Sequence, residues 1–208
     1  MKAPSPRTRL RRLHDKAAYD ADTVKAILDA QPLAHIGHLI DSAPTVSPTL
    51  QWREGDRVYW HGSSASRMIR AAAGQAVCLT VTLLDGLVLA RSGLEHSVNF
   101  RSVMVFGQAE QVTDPKAKAH HLEVMIEQMF PTRWAQLRPM TAQELKATAV
   151  LSLPISEASA KIGAGMPTDP PEDMTWPVWA GVVPLHQVLG APEADGQPLG
   201  PLPQIRRF

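Results

Sequence analysis

LAHIGHLIDSAPTVSPTLQWREGDRVYWHG, residues 33–62, is the stretch that decides the fold. LAHIGHLID (33–41) reads as a strand, Ser42-Ala43-Pro44 as a turn, and TVSPTLQW (45–52) as a second strand. Glu54-Gly55-Asp56 then turns the chain into RVYWHG (57–62). Turn residues at such short intervals describe an antiparallel meander. Pro48 lacks an N–H and predicts an edge or a bulge in the second strand.

Upstream the period is helical. Asp20 can cap a helix whose apolar residues Val24, Ile27 and Leu28 lie three and four apart, and Gln31-Pro32 ends it. Before it, Pro4, Pro6 and the arginines through Arg12 make a polar arm, expected to be mobile unless it docks on a partner. Downstream, SSASRMIRAAAG (63–74) reads as a short helix capped by Ser63 or Ser64 and stopped by Gly74, with Met68, Ile69, Ala72 and Ala73 inward. AVCLTVTLL and LVLARS flank Asp85-Gly86, a hairpin signal. VNFRSVMVFGQAEQV (98–112) reads as a long strand with a bulge near Gly107. Asp114 caps the most regular helix. Pro115 takes its first position, and Leu122, Met125, Ile126 and Met129 form its stripe. Thr141-x-x-Glu144 is a capping box. ATAVLSLPISEAS (147–159) and PVWAGVVPLHQVL (177–189) read as the last two strands, and a tail with Pro192, Pro198, Pro201 and Pro203 is extended.

The sum is at least seven strands with inserted helices and no internal repeat. That predicts a mainly β protein with peripheral helices, an α+β chain built on a small antiparallel barrel. A basic arm (1–20), one folded domain (21–190) and a Pro-rich tail (191–208) divide the chain. At 208 residues, 44% apolar and 20% charged, it can bury one core. Lys and Arg number 21 against 20 acids, a net +1 that gives no footprint for nucleic acid. One cysteine excludes an internal disulfide framework. No apolar run reaches the roughly 20 residues of a membrane helix. The basic start lacks the apolar core of a secretory signal, so a cytoplasmic location is expected.

Where the strand ending at His61 meets the next helix, Ser63, Ser64, Ser66 and Arg67 collect donors suited to a phosphate monoester. A plain capped helix with solvated arginines is the alternative. No triphosphate loop motif occurs. Of the eight histidines, His35 and His38 should point to opposite faces of a strand, and His120 and His121 are adjacent on a helix and should diverge. No dedicated metal site is expected. Cys78 sits mid-strand as a small buried thiol, and no nucleophile elbow is present. Trp52, Trp60, Trp176 and Trp179 are core or interface residues, or walls of a planar cofactor.

Several of these segments together resemble the pyridoxamine 5′-phosphate oxidase superfamily, the FMN-binding split barrels. RSVMVFG (101–107) is similar to its flavin-contacting strand, VYWHGSSASRMIRAAAG (58–74) to the segment that grips the FMN phosphate, and PVWAGVVPL (177–185) to the Trp-x-Gly strand. ELKATAVLSLPISEASAK (144–161) resembles the branch of nitroimidazole-resistance proteins. The resemblance implies an antiparallel split β-barrel that binds FMN between two subunits of a homodimer. It implies Ser66 and Arg67 at the FMN phosphate, with Ser63 beside them. His61 and Gly62 would lie along the ribityl chain or ring. Val46, Ser47 and Pro48 would face the flavin with backbone groups. Ser102 stands where the oxidases carry a glutamine, Lys161 would lie near the flavin, and Trp179 would come from the neighbouring subunit. His61 is the implied catalytic residue, a proton donor to substrate. The oxidases follow Trp-x-Gly with an arginine-bearing run that holds the substrate phosphate; here VVPLHQV (182–188) has none, which argues against vitamin B6 oxidation. The expected function is an FMN-dependent oxidoreductase acting on a small molecule. A flavin-binding or storage module without turnover and a haem-binding split barrel are the alternatives.

Overall fold

The computed structural model describes residues 2–196 and 200–206; Pro198 of the tail lies outside the described residues. The first elements are β1 (Ala17–Ala18) and α1 (Ala21–Asp29). Asp20 Oδ1 accepts the Thr23 N–H at 2.8 Å, and Val24, Ile27 and Leu28 are the buried face, as the spacing predicts. β2 (Leu33–Ile40) and β3 (Ala43–Glu54) form a hairpin through Asp41 and Ser42, at φ 50° and 65°. Two successive left-handed residues match the strand twist, so the turn closes there and Ala43 and Pro44 pair with Ile40 and Leu39. β4 (Arg57–Ser63) follows Gly55, at φ 57°.

α2 (Arg67–Ala72) starts later than expected, with Ser66 at its N-cap. The Ser63 hydroxyl instead accepts the Ala65 N–H at 3.2 Å in the turn before it. β5 (Ala76–Leu89), β6 (Ser97–Gln108) and β7 (Glu110–Gln111) lead to α3 (Pro115–Met129), where Asp114 Oδ2 caps Ala117 at 2.7 Å. α4 (Ala142–Ala147) carries the complete Thr141–Glu144 capping box. β8 (Thr148–Pro154), β9 (Ala158–Gly163) and β10 (Gly181–Pro184) end the set.

Four sequence expectations change. Asp85-Gly86 is not a hairpin turn: β5 runs through it with a register shift between Leu84 and Gly86. Arg101 of β6 holds both Asp85 carboxylate oxygens, at 2.9 and 2.7 Å. Gly86 lets β10 approach so closely that a Cβ there would lie 3.1 Å from the Val183 carbonyl oxygen. The β5–β6 ladder is regular through Gly107, so the bulge expected there does not form; this pair's register shift lies at Asp85. Residues 147–159 break into β8 and β9, and only residues 181–184 of 177–189 are strand.

The antiparallel sheet runs β1-β9-β6-β5-β2-β3-β4-β8-β7, with β10 on the free stretch of β5. β3 belongs to both halves: residues 43–50 pair with β2 and residues 51–54 with β4. Past the Gln51–Trp60 pair the β3–β4 ladder stops, and His61, Gly62 and Ser63 continue against β8 alone. This opens the barrel. Pro44 and Pro48 lie where β3 has lost that neighbour, the place in a strand where a missing N–H is tolerated. The sheet does not close among the described residues. β6 instead leans on β8 at Gly107, where a Cβ would lie 2.9 Å from Leu153 Cδ1. The interior holds Ile36, Val58, Trp60, Leu79, Val103, Val105, Leu151 and Leu153, plus the inner faces of α1 and α2. A second cluster, Trp52, Tyr59, Val150, Leu122 and Met125, packs α3 on the outside of β3, β4 and β8. No described helix is long and apolar enough to cross a membrane.

The arm does not wait for a partner. Arg7 Nε donates to Glu157 Oε1 at 2.7 Å, its guanidinium lies 5.2 Å from the Phe106 ring centre, and Tyr19 OH accepts the Leu10 N–H at 2.9 Å. The Arg7 guanidinium holds the Glu157 carboxyl down to about 2.

Two outcomes follow. Gly107→Val should cost about 1–3 kcal/mol, because its branches have no room against buried Leu153; an unchanged urea midpoint would remove that close approach. A carboxyl held low stabilises above its unfolded value of about 4.3 and ceases to as pH falls through about 2. Acidification across that window should therefore release the arm to protease in the wild type. Arg7→Ala should release it already at pH 7.

Candidate functional site

Alternation along the strands sorts side chains into the barrel interior and an outer face. In β2, Ala34, Ile36 and His38 are buried while Leu33, His35 and Leu39 are exposed, so His35 and His38 do point to opposite faces. Register carries the outer face across the sheet. Pro48 pairs with His35, His35 with Thr80, Thr80 with Met104, and Met104 with Ser159. One row over lie Val46, Gly37, Cys78 and Phe106. This half of the outer face is apolar and bare: Val46 is 65% exposed, Leu39 59%, Leu33 48% and Met104 43%.

Its border is His61, on the same outer face as Trp52, whose ring centre lies 6.0 Å away. His61 Nδ1 is buried without a hydrogen-bond partner. Burial pushes the imidazole below its ordinary value, so it is neutral at pH 7. Beyond it, β4 turns through Ser63 into α2. Ser64 O accepts the Arg70 Nε at 3.2 Å, and Arg67 reaches into solvent, 3.9 Å from Asp41 of the β2–β3 turn. Val46, Ser47, Pro48, His61, Gly62, Ser63, Ser66 and Arg67 thus flank the opening between β3 and β4.

Ser102 and Lys161 pair with one another, the Ser102 hydroxyl 3.4 Å from the Lys161 carbonyl oxygen, and Lys161 Nζ lies 5.9 Å from the Phe100 ring centre. They share the outer face, but β6 is three strand spacings from β3, roughly 14 Å. Trp179 is farther still. Its ring folds over Gly181, where a Cβ would meet it at 2.9 Å, and Gly181 pairs with Leu89. Val46 lies in the row of Cys78, and from Cys78 to Leu89 the strand spans roughly 35 Å at about 3.3 Å per residue. One chain does not bring Trp179 to His61. The sequence reading left His35 out of the site, yet it stands exposed in the middle of the bare face between Pro48 and Thr80. Its alternation with Ala34 and Ile36 was the available signal. Cys78 is half-buried and burial pushes its thiol up, which removes it as a nucleophile.

The sequence model of the family described as pyridoxamine 5′-phosphate oxidase matches residues 20–162. Among solved structures, the flavocytochrome Anf3 from Azotobacter vinelandii superposes with a TM-score of 0.93 at 51% identity, over 98% of this chain and 95% of that one. An FAD and haem binding protein from Mycobacterium smegmatis superposes with a TM-score of 0.83 at 38% identity, over 89% and 94%. A protein described as a 5-nitroimidazole antibiotic resistance protein from Bacteroides thetaiotaomicron shares the fold, with a TM-score of 0.60 at 19% identity over 70% and 86%. A search of curated proteins finds no match.

The state of His61 is open to measurement. The unfolded imidazole takes up its proton first as pH falls, so burying it neutral stabilises above about pH 6.5 and that contribution is lost as pH drops through the lowered folded value. His61→Asn should therefore lose less stability than wild type between pH 7 and pH 5. Parallel losses in the two proteins would count against a neutral buried ring.

Proposed function

The chain belongs to the pyridoxamine 5′-phosphate oxidase family, and from that premise we propose that it is a flavin-binding oxidoreductase acting as a homodimer. The observation that carries this reading is the orphaned, buried Nδ1 of His61 at the edge of a bare apolar sheet face. A buried polar atom without a partner is costly, and a ring carbonyl or ribityl hydroxyl of a flavin would satisfy it. The residues fit the group in two further ways. Val46 and Pro48 offer an apolar wall, and exposed Arg67 offers a cation for a phosphate.

In this reading Arg67, Ser63 and Ser66 hold the phosphate end, the β3 backbone at Val46, Ser47 and Pro48 borders the ring, and His61 places a nitrogen beside it. A bound flavin supplies hydride or single-electron transfer. His61, neutral at rest, accepts or returns a proton only when substrate gives it reason to charge. Ser102, Lys161 and Trp179 belong to the same site only in a dimer, through the partner's copy. The exposed Leu33, Leu39, Val46 and Met104 are the surface a second copy would cover. The run VVPLHQV (182–188) that follows Trp179-x-Gly181 carries no arginine, so the substrate is a small molecule other than pyridoxine phosphate. FMN is the flavin the sequence resemblance implies. The 38% identical relative, an FAD and haem binding protein, supports FAD for this chain.

A second group, haem, is favoured by a specific observation. His35 presents an exposed imidazole amid Leu33, Pro48 and Met104, an apolar surround suited to a porphyrin. Two relatives, at 51% and 38% identity, are a flavocytochrome and an FAD and haem binding protein. His35 is the ligand this arrangement offers, and the protein would then pass electrons between flavin and haem.

The visible spectrum of the purified protein is the test. Flavin bands and a Soret band are expected, with the released flavin identified by mass as FAD or FMN. Arg67→Ala should weaken flavin binding about tenfold or more by removing a charged donor, with the Soret band intact. His35→Ala should do the reverse. His61→Ala should keep flavin and slow turnover. A colourless protein that ignores added flavin would sink the flavin site, and a Soret band unchanged in His35→Ala would remove His35 as the ligand.

A further inference from the structure

On the covered half of the outer face, three side chains converge that the flavin reading does not use. Glu54 ends β3, and His120 and His121 lie on α3. The two adjacent histidines do not diverge as their position on a helix suggests: their ring centres are 5.5 Å apart, and one carboxylate reaches both. Glu54 Oε1 is 2.9 Å from His121 Nδ1, and Glu54 Oε2 is 3.8 Å from His120 Nε2. One ligand atom from each residue falls within a span of 4.8 Å.

We propose that Glu54, His120 and His121 bind a divalent transition-metal ion of the zinc type, clamping α3 to the end of β3. Two imidazoles and a carboxylate are a zinc donor set, with a fourth position left for water. Metal–ligand lengths of about 2.0–2.1 Å put tetrahedral ligand atoms about 3.3 Å apart, between the two separations observed here. The ligands are also positioned from behind. Trp52 Nε1 donates to Glu54 Oε1 at 2.9 Å, and the Tyr59 ring centre lies 4.4 Å from that of His121. Such outer partners fix ligand orientation and are a usual companion of a metal centre. His120 is 64% exposed, so the ion enters from solvent. A carboxylate with two imidazoles suits Zn2+, Co2+, Ni2+ and Cu2+ over Mg2+ or Ca2+, which prefer oxygen ligands.

The test titrates the full chain, after dialysis against a chelator, with ZnCl2 in a calorimeter and with CoCl2 in a spectrophotometer. The expected result is one Zn2+ per chain displacing Co2+, with affinity reduced at least about tenfold in both His120→Ala and Glu54→Gln. Zn2+ should raise the melting temperature of the wild type and not that of His120→Ala, because only a binder of the folded state shifts that equilibrium. His120→Ala trims an exposed side chain, so its fold is retained. Wild type, His120→Ala and Glu54→Gln binding Zn2+ alike, or a chain that takes up no stoichiometric ion, would overturn the proposal and leave a hydrogen-bonded Trp52–Glu54–His121 cluster. None of these readouts uses flavin or haem, so failure here leaves the functional reading untouched.

Discussion

The grip of α1 on the middle of β3 sets the geometry of the whole outer surface. Gln51 donates its backbone N–H to Pro32 O at 2.7 Å and its side-chain amide to Leu28 O and Gln31 O at 2.7 and 2.6 Å. The last carbonyls of a helix have no partners of their own, so this side chain satisfies groups that would be costly to bury bare. Two residues on, Arg53 forks onto Asp29 at 2.9 and 2.6 Å. β3 is thereby pinned over the helix C-terminus at the step where it changes ladder partners, from β2 on one side to β4 on the other.

That change divides the outer face in two. Where β3 pairs with β4, the strands are buried on both faces: Val58 and Trp60 inward, Tyr59 and Trp52 under α3. Where β3 pairs only with β2, the same face is bare, and its large apolar residues meet solvent. A sheet that keeps apolar side chains exposed on one face is unstable against covering, and exposed patches of this kind mark interaction surfaces. Among the described residues, α3 covers one half and no helix covers the other.

Much of this was legible in the sequence. Asp20, Asp114 and the Thr141–Glu144 pair are local devices, each acting within a few residues, and each sits where the pattern put it. The failures share a cause. Asp85-Gly86 has hairpin chemistry, but Arg101 and β10, both distant in sequence, make it a bulge. Residues 149–155 are apolar but for Ser152 because β8 is covered on both faces, and that run hides the turn that follows it. The arm reads as solvated because its partner, Glu157, is far along the chain. The β4–α2 residues were readable together because they are contiguous. The exposure of His35 was not, because it rests on which face the half of β3 without β4 leaves open. Glu54 was not, because the carboxylate between His120 and His121 comes from another element.

Alternate residues of β3 therefore carry a gradient along one face of one strand. Val46 and Pro48 are bare, Leu50 is partly covered, Trp52 is buried, and Glu54 ends the row among imidazoles. Trp52 is common to both ends: its ring faces His61 and its N–H holds Glu54. A strand that alternates strictly has no other way to change chemistry than residue by residue along its length. The transition from an apolar bay to a polar cluster is thus fixed by position in β3, and His61 sits where β4 has left β3, beside the buried Trp52.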